Sequence, residues 1–361
     1  MADGQTQDLL VENTGALLLV TLNRPRALNA LTAGMRTRLA EALWAAARDA
    51  QIYAVVMQSA SERAFSAGSD VREVILAARE DKSRASKFFA DEYALNWQCE
   101  CFSKPTVPLI DGMVMGGGVG ITLYGTHRVA GEGYRFAMPE TLIGLFPDVG
   151  VCHAFARMPG HMGQYLGLTG RTIGRADAYA LGLVTHCIGA EHFATIKTEL
   201  SEAWPVDTIL DRLHVEPEAG ELAALAGTIE TCFSADSVEE ILERLGAVQG
   251  AAQPWAQEVI ADLGRRSPLS LKITQRHVRE AAARDLRQTL MIDGRLAARV
   301  LDDHDFYEGV RAALIDKDHS PRWRPETLSD VTDAMLDAYF VAASDAGPVL
   351  PTRGEMQAQR A

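Results

Sequence analysis

Three consecutive glycines, Gly116–Gly118, constrain the fold of this chain more than any other feature of its sequence. They follow a strand-like segment, TVPLID (106–111), and run into an apolar segment that predicts a helix. Because glycine loses more backbone freedom on folding than any other residue, such a run is expected where the backbone must turn tightly or approach something closely. Two interpretations stand: a tight strand-to-helix crossing, or exposed backbone N–H groups that stabilise negative charge. The run matches neither a Walker motif nor a dinucleotide fingerprint.

Hydrophobic patterning on either side of the glycines predicts alternating strands and helices. An apolar run at 16–22 predicts a strand, the periodicity over 32–49 predicts a helix with Thr32 as its N-cap, and 52–59 predicts a buried strand. This order indicates an α/β fold. The second half of the chain is mainly helical, and 267–301 predicts amphipathic helices.

Composition narrows the class of protein. The chain has 361 residues, of which 47% are hydrophobic and 23% charged, as is typical of globular proteins. The net charge of −13 disfavours a nucleic-acid partner, and no stretch approaches the roughly 18 apolar residues of a membrane span. A polar, acidic start predicts no signal peptide, and five cysteines without ligand or disulfide spacing predict buried thiols. These features favour a cytoplasmic location, no membrane partner and no metal site.

Two acidic residues form the second feature with chemical meaning. Glu140 follows Pro139 and Asp148 follows Pro147, and the sequence between the two acids is apolar. Acidic residues after proline are commonly surface-turn residues or helix caps. In a site of low dielectric constant, however, two carboxylates take different pKa values and can divide acid and base roles. Both interpretations stand on the residues alone.

Four segments in chain order resemble the crotonase (enoyl-CoA hydratase/isomerase) superfamily. They are NRPRALNAL (23–31), AFSAGSD (64–70), DGMVMGGGVG (111–120) and MPETLIGLFPDVG (138–150). The fourth, with EYALN (92–96) and DFYEGVRAALIDKDHSPRW (305–323), resembles the branch that hydrolyses 3-hydroxyisobutyryl-CoA. The resemblance covers about residues 8–325 and implies a spiral of ββα units with a C-terminal helical region. The implied division is a crotonase core, a helical region and an extension of unknown role, at 1–265, 266–325 and 326–361.

The resemblance assigns roles to the residues singled out above. Two backbone N–H groups, of Ser69 and Gly117, are implied to form an oxyanion hole for the thioester oxygen. Glu140 is implied to attack the thioester carbonyl or to activate water, while Asp148 positions its partners or moves a proton. Hydratases of the superfamily carry a further glutamate at the position of Gly120. Its absence here favours cleavage of the thioester over addition of water to a double bond.

Further contacts with the acyl-CoA substrate follow from the same resemblance. Substrate-binding positions are implied at Glu92, which could equally be an ordinary exposed helix residue, and at Asp70, Gly116 and Gly117. Coenzyme A is part of the substrate, so no separate cofactor is expected. Weaker contacts with coenzyme A are predicted at Arg26, Ala27, Leu28, Ser66 and Lys317, with Arg24 and Lys272 as further candidates for the phosphates.

After Asp148 the chain departs from the superfamily pattern of Gly-Gly followed by small or aromatic residues. It reads Val149-Gly150-Val151-Cys152-His153, which leaves the shape of the acyl pocket open and makes His153 either a third catalytic group or a packing residue. The predicted function is hydrolysis of a short-chain 3-hydroxyacyl-CoA, with 3-hydroxyisobutyryl-CoA as the best single substrate. The alternatives are an enoyl-CoA hydratase or isomerase and a non-catalytic acyl-CoA-binding scaffold. Crotonases commonly form trimers or pairs of trimers, and the sequence leaves a homo-oligomer open.

Overall fold

The structure is a computed structural model that describes residues 7–341 and 347–359. Within these residues ten strands form two sheets. The strands are β1 (Leu9–Thr14), β2 (Leu17–Leu22), β3 (Ala54–Ser59), β4 (Ala64–Ser66), β5 (Thr106–Ile110), β6 (Met113–Met115), β7 (Val129–Ala130), β8 (Arg135–Ala137), β9 (Ile173–Gly174) and β10 (His186–Cys187).

The two sheets are interleaved along the chain. The larger sheet has the order β1-β2-β3-β5-β7-β10 and the smaller has the order β4-β6-β8-β9. All neighbours pair in parallel except β1 with β2 and β8 with β9. From β3 to β8 successive strands alternate between the larger and the smaller sheet, and helices follow β4, β6 and β8. This alternation is the spiral of ββα units that the sequence resemblance implied, and it confirms the α/β prediction.

Helices cover the sheets and make up the C-terminal region. The α-helices of the described residues are α1 (Ala33–Arg48), α2 (Val71–Glu80), α3 (Lys82–Cys101), α4 (Gly117–Gly120), α5 (Val151–Phe155), α6 (Met162–Thr169), α7 (Arg175–Ala180), α8 (Phe193–Ser201), α9 (Val206–Leu213), α10 (Ala226–Phe233), α11 (Val238–Gly246), α12 (Gln253–Leu263), α13 (Pro268–Ala281), α14 (Leu286–Val300), α15 (Asp305–Val310), α16 (Asp333–Phe340) and α17 (Arg353–Ala358).

Helix α1 and the pair α13 and α14 lie where the hydrophobic pattern predicted them. Thr32 is the N-cap of α1, and its hydroxyl accepts a hydrogen bond from the N–H of Met35 at 3.2 Å. The segment after the glycines forms a helix of only one turn, α4. Sequence patterning also missed β1, whose residues are largely exposed and which is held by antiparallel pairing with β2.

The core lies on both faces of the larger sheet. Alternate residues of β3 point to opposite faces, so that Val55 joins the main core while Val56 packs in a smaller cluster with α8 and α9. The main cluster reaches from Leu9 to Met356 and draws on all three predicted segments, whose division stays a prediction. All five cysteine side chains are buried, as predicted. Among the described residues, no helix is both long and apolar enough to cross a membrane.

The segment after residue 325 packs against the rest of the chain. No role was predicted for it from the sequence. The indole N–H of Trp97 in α3 donates to the carbonyl of Pro351 at 2.7 Å. Arg287 of α14 donates to the carbonyl of Leu350 at 2.8 Å and 2.6 Å. The Leu350 and Met356 side chains are buried in the main core. Residues 347–359 therefore contact both α3 and α14.

This packing predicts a difference between two residues of the same segment. Met356 is 4% exposed and Val349 is 86% exposed. We expect Met356→Ala to lower the free energy of unfolding by about 2 kcal/mol, because it leaves a cavity in the core. Val349→Ala is expected to change it by less than about 0.5 kcal/mol. Urea titrations followed by far-UV circular dichroism measure both, and equal effects would show that the segment does not pack in solution.

Candidate functional site

Three neighbouring strands of the smaller sheet bring the predicted site residues together. β4, β6 and β8 run parallel, with Ser66 opposite Val114 and Met115 opposite Ala137. Ligands bind at the carboxyl ends of strands in open α/β sheets. Ser69, Gly117 and Glu140 each lie within three residues of the end of one of these strands. The spiral topology therefore gathers groups that are far apart in the sequence at one edge of the sheet.

Two backbone N–H groups lie side by side at this edge. A Cβ atom added to Gly68 would lie 3.4 Å from the N atom of Gly117, and one added to Gly117 would lie 3.2 Å from the N atom of Ser69. Neither the Ser69 N–H nor the Gly117 N–H donates a hydrogen bond to any residue that the structure describes. Gly68 has φ of +98° and Gly116 has φ of +47°, conformations that side chains disfavour. The glycines thus shape a turn in which two neighbouring N–H groups have no partner among the described residues.

The segments predicted to contact coenzyme A also meet at this turn. The N–H of Leu31 donates to Gly68 at 2.8 Å and the N–H of Ala67 donates to Leu28 at 2.9 Å. Arg26, which is exposed, and Ala27 therefore lie on a loop beside the turn.

Three of the residues predicted to contact the ligand, Arg24, Asp70 and Ser66, make internal bonds instead. Arg24 pairs with Asp70 at 3.0 Å, and the buried Ser66 hydroxyl donates to the carbonyl of Asn29 at 2.9 Å. These side chains hold the turn, so a ligand contact there would come from the neighbouring backbone.

Glu92 is buried rather than exposed, which excludes its interpretation as an ordinary surface residue. Its carboxylate accepts a hydrogen bond from the Ser69 hydroxyl, and its other oxygen pairs with a guanidinium nitrogen of the buried Arg36 at 3.4 Å. A Cβ atom on Gly117 would lie 2.3 Å from Glu92 Oε1. The Arg36 guanidinium also stacks on the Phe88 ring, 3.4 Å from its centroid. Glu92 therefore flanks the two unpaired N–H groups with its charge paired.

Glu140 begins a 3₁₀ turn, Glu140–Ile143, directly beside the glycines. Its Oε1 lies 3.1 Å from the position of a Cβ on Gly116. Its Oε2 is buried and has no hydrogen-bond partner among the described residues. Helix α15 fixes the turn from behind, because a Cβ on Gly309 would lie 2.3 Å from the backbone of Ile143. The segment 305–323, singled out by its resemblance to the hydrolase branch, therefore supports Glu140.

Burial sets the protonation of Glu140. Loss of hydration raises the pKa of its carboxyl to about 8. The neighbouring carboxylate of Glu92 adds to this rise, whereas a hydrogen bond from its own backbone N–H and the cation of Arg266 act in the opposite direction. Glu140 therefore changes its charge within the physiological range.

Asp148 is held by a residue to which the sequence assigned no role. The Tyr93 hydroxyl donates to Asp148 Oδ2 at 2.8 Å, and both side chains are buried. Burial raises the pKa of Asp148 well above its usual range, with contributions from the charges of Glu92, Glu140 and Asp293, while the bond from Tyr93 lowers it. Because Glu92 and Tyr93 are adjacent on α3, one helix contacts both the glycine turn and the Asp148 loop.

The loop that follows Asp148 is fixed by three further contacts. Val149 has φ of +53°, which is strained for a β-branched residue, and its carbonyl accepts the Tyr124 hydroxyl at 2.5 Å. The N–H of Gly150 donates to Asp293 at 2.6 Å, and Asp293 also bonds the buried His277 ring at 2.6 Å. The C-terminal helices α13 and α14 thereby position Asp148.

No side chain fits at position 120, where the resemblance places a glutamate in hydratases. A Cβ atom on Gly120 would lie 2.6 Å from Asn96 Nδ2 and 2.9 Å from Val149 Cβ. Val149 stands where the superfamily tends to have glycine, and its side chain helps to close the space over Gly120. A glutamate at position 120 would require both neighbours to move.

Other predicted residues lie away from this cluster. Lys317 is exposed in a turn with φ of +56°, and Lys272 pairs with Glu239 at 2.7 Å. His153 is partly buried, and its ring makes no hydrogen bond to Glu140 or Asp148 within the described residues, which favours a packing role.

The sequence assigned no role to several buried residues around the site. One signal was present in the EYALN segment, where the polar residues Glu92 and Asn96 are four apart and so share one face of α3. The unassigned residues are Arg36, Tyr93, Asn96, His277 and Asp293.

The model of one protein family, described as enoyl-CoA hydratase/isomerase, matches residues 17–340. The chain belongs to this family. The mitochondrial 3-hydroxyisobutyryl-CoA hydrolase of Rattus norvegicus is 38% identical over 346 residues, covering 93% of this chain and 89% of the relative. The mitochondrial enzyme of the same name from Homo sapiens is 38% identical over 344 residues, covering 92% and 88%.

Solved structures of family members share the fold over nearly their whole length. A carnitinyl-CoA dehydratase from Mycobacterium thermoresistibile superposes with a TM-score of 0.89 at 38% identity, covering 94% of this chain and 98% of that one. An enoyl-CoA hydratase from Rhodobacter sphaeroides 2.4.1 has a TM-score of 0.88 at 33% identity, covering 95% and 100%. The crotonase fold predicted from the sequence is confirmed. The relatives' names say mitochondrial, and the cytoplasmic location of this chain stays a prediction.

The raised pKa of Glu140 predicts how stability depends on pH. Unfolded chains lose this proton near the ordinary value of 4.5, but the folded protein keeps it up to about 8. Because the folded state binds more protons in this window, its stability falls as the pH rises from about 4.5 to 8. The glutamine side chain of Glu140→Gln cannot ionise. The melting temperature of this variant minus that of the wild type should therefore increase across this pH window and stay constant above it. A difference in melting temperature that is the same at every pH would contradict a raised pKa of Glu140.

Proposed function

We propose that the protein hydrolyses a short-chain 3-hydroxyacyl-CoA thioester, with 3-hydroxyisobutyryl-CoA as the substrate. The observation that carries the proposal is the pair of buried carboxyl groups, Glu140 and Asp148, beside two unpaired N–H groups, with Gly120 closed to a side chain. The names of the curated relatives, 36–39% identical, support the same reaction. The acid product and free coenzyme A would place the reaction in valine breakdown. Coenzyme A enters as part of the substrate, and no further cofactor is required.

The thioester oxygen is proposed to bind between the N–H groups of Ser69 and Gly117. Both donors are unpaired and already positioned by the glycine turn, so they gain a partner as negative charge develops on the oxygen. Removal of one such donor typically costs about 2.7–4 kcal/mol of transition-state stabilisation. Because α4 has a single turn, the individual N–H groups contribute more than a helix dipole would.

Glu140 is proposed to act on the carbonyl carbon held there. In one route its carboxylate attacks the carbon, the C–S bond breaks, and a mixed anhydride forms that water then cleaves. In the other route the carboxylate takes a proton from water, whose oxygen attacks the carbon directly. Both routes require the unprotonated carboxylate, and Glu140 Oε2 has no bond that would compete for it.

Asp148 is proposed to handle the second proton. Asp148 is held by Tyr93, and burial raises its pKa well above the usual range, so it keeps a proton to a higher pH than an exposed aspartate does. A protonated Asp148 can donate to the departing thiolate, and its conjugate base can then orient water or the substrate hydroxyl. Separate environments for two carboxyl groups thus supply an acid and a base in one site.

The second candidate is an enoyl-CoA hydratase that uses Glu140 with a different partner. It is favoured by the names of the two proteins of known structure, a dehydratase and a hydratase. The contacts of Gly120 with Asn96 and Val149 argue against it, because they leave no room for the second glutamate. A binding scaffold without activity would not need two buried carboxyl groups of high pKa.

Thiol release distinguishes these functions. We expect the wild type to release free thiol from 3-hydroxyisobutyryl-CoA, with kcat/KM rising as the pH passes through about 8 because Glu140 must lose its proton. Glu140→Gln and Asp148→Asn should each lower kcat by about 100-fold or more. Ellman's reagent measures the thiol.

Glu80→Gln, which removes an exposed carboxylate on α2, is the matched control and should keep the wild-type rate. Rapid hydration of crotonyl-CoA without thiol release from any thioester would overturn the proposal in favour of a hydratase.

A further inference from the structure

The Asn96 side chain is buried beside Gly120 and has no hydrogen-bond partner in the part of the chain that the structure describes. It is 0% exposed, and neither its amide nitrogen nor its carbonyl oxygen is bonded to another described residue. Burying an amide unpaired is unfavourable, and such groups in native proteins usually meet a ligand or water. Nothing in the role of Glu140 or Asp148 accounts for this arrangement.

Asn96 faces the same part of the site as Glu92. The two residues are four apart on α3 and so lie on one face of the helix. Opposite them, Gly117 and Gly120 are three apart on α4. The Cβ position of Gly117 lies 2.3 Å from Glu92 Oε1, and that of Gly120 lies 2.6 Å from Asn96 Nδ2. Glu92 therefore stands beside the oxyanion turn, and Asn96 stands one step further along α4.

This step matches the length of a short acyl chain. Three helical residues advance by about 4.5 Å, so the Asn96 amide is displaced from the thioester oxygen site by roughly that distance. A hydroxyl two carbons beyond the thioester carbonyl spans a similar distance. The surroundings of Asn96 at this point are the Val149 side chain and the backbone of Gly120, which offer the substrate no polar side chain of their own.

We propose that the Asn96 carboxamide binds the 3-hydroxyl group of the acyl chain and thereby selects hydroxyacyl over plain acyl thioesters. A hydroxyl donates one hydrogen bond and accepts others, and a carboxamide offers both an acceptor and donors. The inference rests on the proposed hydrolase function and deepens it. Asn96 determines specificity, whereas Glu140 and Asp148 carry the bond cleavage.

The test compares Asn96→Leu with the wild type on two substrates, 3-hydroxyisobutyryl-CoA and isobutyryl-CoA. Because Leu has a similar volume but no polar atoms, kcat/KM for the hydroxy substrate should fall at least about tenfold. The value for isobutyryl-CoA, or its inhibition constant if turnover is too slow, should change less than about threefold. The melting temperature should stay equal or rise, because two unpaired polar atoms leave the interior.

Gln98→Leu is the matched control on the same helix. Its amide donates to the carbonyl of Ala40 at 2.9 Å, away from the site, so this change should lower stability and leave the ratio of the two substrates unchanged. Asn96→Ala carries the same kinetic expectation as Asn96→Leu and serves if the leucine does not fit.

Two results would overturn the role of Asn96, and each can be told apart from a failure of the proposed hydrolase function. An equal fall for both substrates, or no change in either, would overturn the role of Asn96 while thiol release by the wild type upholds hydrolysis. Absence of thiol release by the wild type from both substrates would overturn the hydrolase function and the inference with it.

Discussion

The site depends on keeping three carboxyl groups in the interior of the protein. Glu92, Glu140 and Asp148 are each no more than 6% exposed. The Arg36 guanidinium lies 3.4 Å from Glu92. Burying an unpaired charge is costly, so the other two groups retain protons to a higher pH than they would in water. Arg36 therefore pairs with Glu92, while burial raises the pKa of both Glu140 and Asp148.

The rest of the fold keeps these carboxyl groups buried. Helix α3 contributes Glu92 and Tyr93, and it is braced from behind by the carbonyl of Pro351. Helix α14 supplies Asp293, which holds the Gly150 N–H of the Asp148 loop. The C-terminal helices and the terminal segment are therefore part of the machinery around the site.

Local patterns in the sequence predicted much of this arrangement. The N-cap at Thr32, the alternation of strands and helices and the glycine run all report local physics, and the superfamily resemblance added the oxyanion donors and Glu140. Contacts between distant parts of the chain were not predictable. Tyr93 meets Asp148 across 55 residues, and Asp293 meets Gly150 across 143 residues. The crowding at Gly120 depends on where α3 lies against α4, which no pattern in either segment specifies.

Direct titration of the Glu140 carboxyl group tests the account most closely. Infrared difference spectra of the wild type and Glu140→Gln, recorded across a pH series, isolate the carbonyl band of this one protonated side chain. The account predicts a band present at neutral pH that disappears as the pH passes through about 8. A band that is already lost near pH 4.5, the ordinary value for a glutamic acid, would contradict it. Glu140 would then be a solvated carboxylate, and the division of roles between the buried acids would fail.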